Sequence, residues 1–436
     1  MDKKRIGVIS LGCDKNRVDT EKMISIICSE HTLVNDLSTA QIVIINTCAF
    51  LESARKEAIE EILAVNEFSE NGCLEKIIVT GCLPQKFAND FFDDFTEIDA
   101  LLGVSDYSKL LTVINRIYAG ERVMEIGEPN NECIKGRVLT TKGYAYLKIA
   151  DGCSNHCTYC LIPKIRGKFR SIKKSELIEE AKSLGQVNEL ILVAQDLTRY
   201  GEDLGDTSLC DLIRALSSLP NILGIRLMYC YPEGISDELI RELSSNAKLI
   251  RYIDIPLQHA SDRILKLMNR KGSFNSYLSL IERLKRDVYG IAIRSTFITG
   301  FPTETEEDFN VLVDFIKKAK LFNAGFFAYS REEDTPAYKL SGQIKKGEKT
   351  KRLKKLYSVQ KSVVKENLKS LIGKTFSVTV EGFDEDMLVY YGRAYFNAPD
   401  IDGKIYFFSS EPVIYNQNVN VKIIKAQGYD LYGEKQ

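Results

Sequence analysis

No stretch of this sequence approaches the roughly 18 to 20 consecutive apolar residues that a membrane-crossing helix needs. The formal net charge is only −1 over 436 residues, so the whole-chain balance neither demands nor excludes a nucleic-acid partner. The start, Met1-Asp2-Lys3-Lys4-Arg5-Ile6, lacks a signal-peptide pattern and runs into a strand pattern. Together these absences point to a folded cytoplasmic protein with no membrane contact. Single cores rarely grow past about 250 to 300 residues, so two or three domains are expected. What the chain does have is cysteine, eleven in all. The cytosol keeps thiols reduced, which favours metal or redox work over disulfides.

Residues 151–160 concentrate that chemistry. Cys153, Cys157 and Cys160 follow a C-x3-C-x2-C spacing directly after the apolar run 144–150. Three thiolates can hold three irons of a cubane and leave the fourth open to a substrate. Ferredoxin-type runs are spaced C-x2-C-x2-C and ligate every iron, so their clusters only carry electrons. Zinc is the alternative, with His156 completing the ligand set. With Tyr159 included, the motif resembles the C-x3-C-x-aromatic-C signature of the radical S-adenosylmethionine (radical SAM) superfamily. The resemblance implies a 4Fe-4S cluster on Cys153, Cys157 and Cys160, with S-adenosyl-L-methionine chelated at the open iron and cleaved to a 5′-deoxyadenosyl radical. In such enzymes the cofactor carries the chemistry and the protein supplies placement.

Over residues 1–135, β-rich runs at 6–11, 42–46, 77–80 and 100–104 alternate with helical patterns at 18–28, 53–65 and 107–119. This alternation predicts a doubly wound parallel sheet. Cys13, Cys48 and Cys82 each follow a strand, in β-to-α loops that share the ligand-binding edge of such a sheet. Their alternative role is as small buried hydrophobes at strand ends. A second triad ahead of a radical SAM motif resembles the methylthiotransferase family. There, Cys13, Cys48 and Cys82 would hold an auxiliary 4Fe-4S cluster whose open iron carries the sulfur to be transferred, making two clusters in all. Cys28, Cys73, Cys133, Cys210 and Cys230 match no such role.

Residues 140–370 show strand-like runs at 144–150, 190–194, 224–229, 252–256, 291–299 and 324–329, separated by helical patterns. Six β/α units predict a partial (β/α)6 barrel, with chemistry at the carboxyl ends of its strands. Ile162-Pro163-Lys164-Ile165-Arg166-Gly167 resembles the family's I-P-x-x-R-G stretch after the cluster, and 194–201 resembles the stretch that approaches the methionyl end and ribose of the cofactor. On that resemblance Tyr159, Gln195, Asp196 and Arg226 are candidate cofactor contacts. Gln195, Asp196, Arg226 and His259 could equally cap or satisfy strand ends. A helix is expected over 347–372, apolar along Leu353, Leu356, Val363, Val364, Leu368 and Leu371. Its other side is basic (Lys349, Lys351, Arg352, Lys354, Lys355, Lys361, Lys365, Lys369), which is either a solvated face or an RNA contact.

Residues 373–436 alternate in the manner of a small all-β barrel, resembling the TRAM domain, commonly an RNA-binding module. This copy carries six basic against nine acidic residues, which suits a basic protein partner better than phosphate. The stretches 10–21, 46–50 and 329–337 resemble the RimO branch of the methylthiotransferases, which modifies an aspartate of ribosomal protein S-12 on the small subunit or its precursor. Asp14 and Asp334 depart from that branch, where proline and glycine are frequent. The resemblance implies hydrogen abstraction from the aspartate β-carbon, followed by transfer of sulfur methylated by a second S-adenosylmethionine. That hydrogen is unactivated and no side-chain base could remove it at neutral pH. A flavodoxin or ferredoxin would supply electrons. The rival readings are methylthiolation of adenosine in transfer RNA, favoured by the basic helix, and a two-cluster electron carrier, which would need a fourth ligand for each cluster.

Overall fold

The computed structural model describes residues 2–131 and 134–436; Cys133 lies outside the described residues. The amino-terminal unit is a six-stranded sheet in the order Thr32–Leu33, Arg5–Ser10, Ile42–Thr47, Lys76–Gly81, Ala100–Leu102, Val123–Glu125. Every pairing in it is parallel. Ile42–Thr47 is buried at every position, so its Ile-Val-Ile-Ile run serves both faces of a covered sheet. One face packs Ile6, Ile42, Ile44 and Ile78 against the helices Asp14–Glu30 and Leu110–Tyr118. The other packs Val43, Ile45 and Val79 against Glu52–Asn66 and Cys82–Asp94. Strand order reverses between Arg5–Ser10 and Ile42–Thr47, and the segments leaving these two strands carry Cys13 and Cys48. That reversal opens the crevice in which doubly wound sheets bind ligands.

The central unit has six parallel strands in the order Asn323–Ala328, Ala292–Thr299, Leu249–Gln258, Ile225–Leu227, Glu189–Val193, Tyr144–Lys148. Each strand neighbours the next in the chain, as an open (β/α)6 barrel requires. Their outer residues, among them Leu190, Leu192, Ile225, Ile253 and Phe297, form one core with Leu212, Ile213, Ile281, Leu312 and Phe315 of the surrounding helices. Three of these helices begin on capping boxes at Ser208, Ser273 and Thr305, which satisfy their first backbone N–H groups.

The last unit is a closed barrel of Thr375–Asp384, Val389–Arg393, Ile405–Phe408, Asp430–Lys435 and Asn418–Gln427. Asp430–Lys435, which the alternation pattern does not reveal, pairs parallel to Ile405–Phe408 and closes it, removing the open edge. Val378, Val380, Phe396 and Phe407 of this barrel share a core with Tyr146, Ile191, Met228 and Tyr252 on the inner face of the central sheet. The last barrel therefore plugs the central one at the end where its strands begin, and leaves the carboxyl ends free.

The expected long helix spans Lys346–Lys369 and buries Leu356, Val363, Val364 and Leu368. Two of the eight basic residues expected along it correct the expectation of a uniformly solvated side. Arg352 is buried and donates to the Glu304 carboxylate (2.7 Å) and carbonyl (3.1 Å). Lys349 is half-buried and donates to the Tyr329 carbonyl at 2.7 Å. Lys351, Lys354, Lys355, Lys361, Lys365 and Lys369 are exposed. Among the described residues no helix is long and apolar enough to cross a membrane.

Candidate active site: two cysteine triads and the groups between them

Cys13 is the N-cap of helix Asp14–Glu30, and Cys82 is the first residue of helix Cys82–Asp94 instead of a loop residue. A thiolate at either position faces the positive end of a helix. Both follow a glycine at which any side chain would be strained and would force its neighbours to shift. Gly12 has φ +89°, and a Cβ there would lie 2.7 Å from the Cys48 Cβ. Gly81 has φ +96°, and its Cβ would lie 2.3 Å from Asn46 Oδ1. The absent side chains let the three strand ends close on one another. Asn16 marks where they meet, since its Oδ1 takes weak S–H donation from Cys13 (4.0 Å) and from Cys82 (3.9 Å). Burial, with Cys82 adding to it, pushes the Cys48 thiol up to about 12, and burial likewise raises Cys82.

The second triad sits at the carboxyl edge of the central sheet. Burial raises Cys153 to about 11 and pushes Cys160 further up. The Ile162 N–H donates to Cys160 Sγ at 3.4 Å, and Arg270 Nη1 approaches Cys157 Sγ at 4.0 Å. Beside Cys157 opens a cavity of about 500 Å³ whose walls include Asn155, Asp196, Thr198, Tyr231 and Arg270. Asp196 accepts from Asn155 Nδ2 (2.7 Å) and Thr198 Oγ1 (2.7 Å), yet burial still raises its carboxyl. Gln195 donates to Asp151 Oδ1 at 2.7 Å and leaves its own Oε1 buried without a partner.

Between the triads lies a buried charge network. Arg166 Nη1 donates to Asp19 Oδ2 and Asp151 Oδ2, both at 2.9 Å. Its Nη2 donates to Asn16 Oδ1 at 2.7 Å and to Cys82 Sγ at 3.7 Å. Lys148 Nζ pairs with both carboxylates as well. Burial pushes Asp151 up, but Arg166 and Lys148 outweigh it and hold the carboxyl far below its usual range. Leu161 and Ile165 pack into the amino-terminal core, so the segment after Cys160 is itself docked on the other unit.

Not every candidate residue reaches this edge. Arg226 is fully buried at the opposite end of the strands, on Glu189 (2.5 Å) and the Tyr395 carbonyl (2.9 Å). That placement corrects the expectation of a cofactor contact, because the last barrel closes the lumen where its guanidinium points. Tyr159 does not line the cavity and packs against Ile264, Met268, Phe301 and Tyr329. His259 is buried, accepts from the Ser261 N–H at 2.9 Å and faces Glu304 at 3.7 Å. Asn16, Asp19, Asp151 and Arg166 escaped the sequence reading as site residues. The signal that could have found them is their place in motif stretches next to the cysteines, Asn16 and Asp19 within 10–21, Asp151 at the head of 151–160 and Arg166 within 162–167.

The donor sets suit iron–sulfur clusters. Among the described residues no group of three or more His, Cys, Asp or Glu side chains converges on a single metal-ion position. In a cubane each thiolate takes its own iron, whereas zinc requires all ligands to meet at one point. His156 is exposed. Buried thiols held in the protonated form give up their protons when metal supplies the compensating charge.

The open parallel barrel with three cysteines at its carboxyl edge defines the class: this is a radical SAM enzyme, and residues 147–316 match the Radical SAM superfamily. Residues 5–103 match Uncharacterized protein family UPF0004, and 372–435 match the TRAM domain. The chain is 44% identical to ribosomal protein uS12 methylthiotransferase RimO of Acetivibrio thermocellus, over 99% of this chain and 98% of that one. It is 45% identical to the protein of that name from Clostridium kluyveri, with the same coverage. The chain belongs to the RimO family. Solved structures share the fold at low identity: the radical S-adenosylmethionine methyltransferase TsrM from Kitasatospora setae (TM-score 0.57, 14% identity, 77% of each chain) and the cobalamin-dependent OxsB (TM-score 0.54, 14% identity, 84% of this chain and 56% of that one).

Proposed function

We propose that the chain adds a methylthio group to the β-carbon of an aspartate in ribosomal protein uS12, using S-adenosylmethionine and two 4Fe-4S clusters. The supporting observation is full-length similarity to uS12 methylthiotransferases in a fold that carries two separate cysteine triads at two sheet edges. In this reading the units are bounded near 135–140 and 370–373. Cys153, Cys157 and Cys160 hold one cluster; Cys13, Cys48 and Cys82 hold the other. When bound, S-adenosylmethionine at the first would supply hydrogen abstraction, and the second would supply the sulfur.

The chain's own groups do the placing. Asp196 offers an acceptor in the cavity wall to hydroxyl or ammonium groups of a ligand, and Gln195, held on Asp151, lies next to it in the chain without lining the cavity. Arg270, seated over the Tyr231 ring at 4.1 Å, holds positive charge beside Cys157. The plugged far end of the lumen keeps water from the reacting edge on that side. The acidic last barrel meets a basic protein surface, and the seven exposed lysines of Lys346–Lys369 are available to ribosomal RNA. Electrons come from a flavodoxin or ferredoxin in the cytoplasm.

Mass spectrometry of uS12 and of digested transfer RNA, from cells with and without the gene, tests this. Loss of one methylthio group from a uS12 aspartate is expected. Loss from transfer-RNA adenosine with uS12 unchanged would move the assignment to RNA.

A further inference from the structure

Arg166 touches both halves of the machinery and is used by neither in the reading above. It follows Cys160 by six residues, yet its guanidinium enters the amino-terminal unit between Asn16, Asp19 and Cys82. Its side chain is 2% exposed. The network around it balances two carboxylates, Asp19 and Asp151, with two cations, Lys148 and Arg166. The fork divides this work: Nη1 serves the carboxylates, and Nη2 serves Asn16 and the Cys82 sulfur. Asp151 continues the chain of contacts to Gln195 and to the Gly152 N–H, one residue before Cys153.

Resting on the assignment of a cluster to Cys13, Cys48 and Cys82, we propose that Arg166 is a positioning residue that sets the reduction potential of that cluster and not of the other. A cation donating to a ligand sulfur stabilises the more negative, reduced form, so it raises the potential. The effect is local, because the guanidinium meets the sulfur of Cys82 and none of the sulfurs of Cys153, Cys157 or Cys160. Lysine would keep the charge but lose the fork, and could not serve carboxylate and sulfur at once. Removing Asp19 works in the opposite sense, since it takes a negative charge from the same group.

The test is a redox titration of the full-length, cluster-loaded protein followed by electron paramagnetic resonance. The amino-terminal signal is assigned by its loss in Cys82→Ala. Arg166→Gln should shift that cluster's reduction equilibrium at least tenfold toward the oxidised form, equal to 59 mV for a one-electron couple. Arg166→Lys should shift it less, Asp19→Asn should shift it the other way, and the second cluster should stay in place. Equal shifts of both clusters, or shifts of one sign in Arg166→Gln and Asp19→Asn, would overturn the proposal. If Arg166→Gln does not fold, Asp19→Asn decides: an upward shift supports the role and no upward shift refutes it. Two clusters with an unmoved potential remove this inference alone. A wild-type protein binding one cluster removes the underlying assignment and this inference with it.

Discussion

Asp334 stands at φ 68°, in the left-handed region that glycine enters freely and aspartate tolerates. That backbone suits the glycine expected here from the resemblance, and the carboxylate adds pairs to Lys164 (3.4 Å) and Lys86 (3.8 Å). Since Asp334 and Lys164 are well exposed, the pairs add little. Asp334→Gly should change stability by no more than about 0.5 kcal/mol in chemical denaturation, because relief of the backbone offsets the greater freedom of the unfolded chain. Asp14 is the first residue of helix Asp14–Glu30, a position that suits proline by its fixed φ and suits aspartate by its charge. Here it pairs with Lys15 at 3.0 Å, whose ammonium lies 3.5 Å over the Tyr229 ring. On the proposed assignment of a cluster to each cysteine triad, Cys13→Ala, Cys48→Ala and Cys82→Ala should each lose one of the two clusters and abolish transfer while S-adenosylmethionine cleavage persists. Iron content and 5′-deoxyadenosine release measure the two effects.

The helix Lys346–Lys369 shows how unequal neighbouring cations can be. Arg352→Ala would leave Glu304 buried beside His259 without its guanidinium, at a cost of roughly 3 to 5 kcal/mol. Lys355→Ala, on the exposed side, should stay within about 0.5 kcal/mol. Denaturant midpoints of the two variants compare them directly. Periodicity placed both residues on one basic side, because it reports spacing and not what lies opposite each turn. The central strands were legible within a few residues, since strands buried on both faces read as continuous apolar runs. Thr32–Leu33 and Val123–Glu125 were not, being two and three residues long at sheet edges. Asp430–Lys435 buries only Leu431 and Gly433, too little apolar signal to announce the strand that closes a barrel. Cys153, Cys157 and Cys160 stand out because their spacing is local, and Cys13, Cys48 and Cys82 because each follows a strand of one sheet. The partners of Arg166 and Arg226 could not be read, because each is supplied by a segment distant in sequence.

At the scale of the whole molecule, the junction between the central and last barrels rests on Glu189. Burial pushes its carboxyl up, but Arg226 (2.5 Å) and Arg393 (3.0 Å) outweigh this and hold it at about 2, below its usual 4.5. A carboxyl lowered on folding stabilises above its unfolded value and loses that contribution as pH falls toward the folded one. The junction should therefore be fully held above about pH 4.5 and loosen toward pH 2, with roughly 3 kcal/mol at stake. Hydrogen exchange of the strand Val389–Arg393 across that range, with Glu189→Gln as the comparison, measures it.

The cavity of about 210 Å³ beside Cys13 takes Gly12 and Arg17 from the first unit, Tyr146 and Met228 from the second, and Ala398 and Asp400 from the third. Arg17 and Tyr144 both reach Asp400, at 3.4 and 3.1 Å, so the third wall is fastened to the other two. A chimaera that borrows its last barrel from another protein would inherit a fold but not this wall, unless residues 398–401 travelled with it. Recombination in this architecture is constrained by that loop more than by the barrel that carries it.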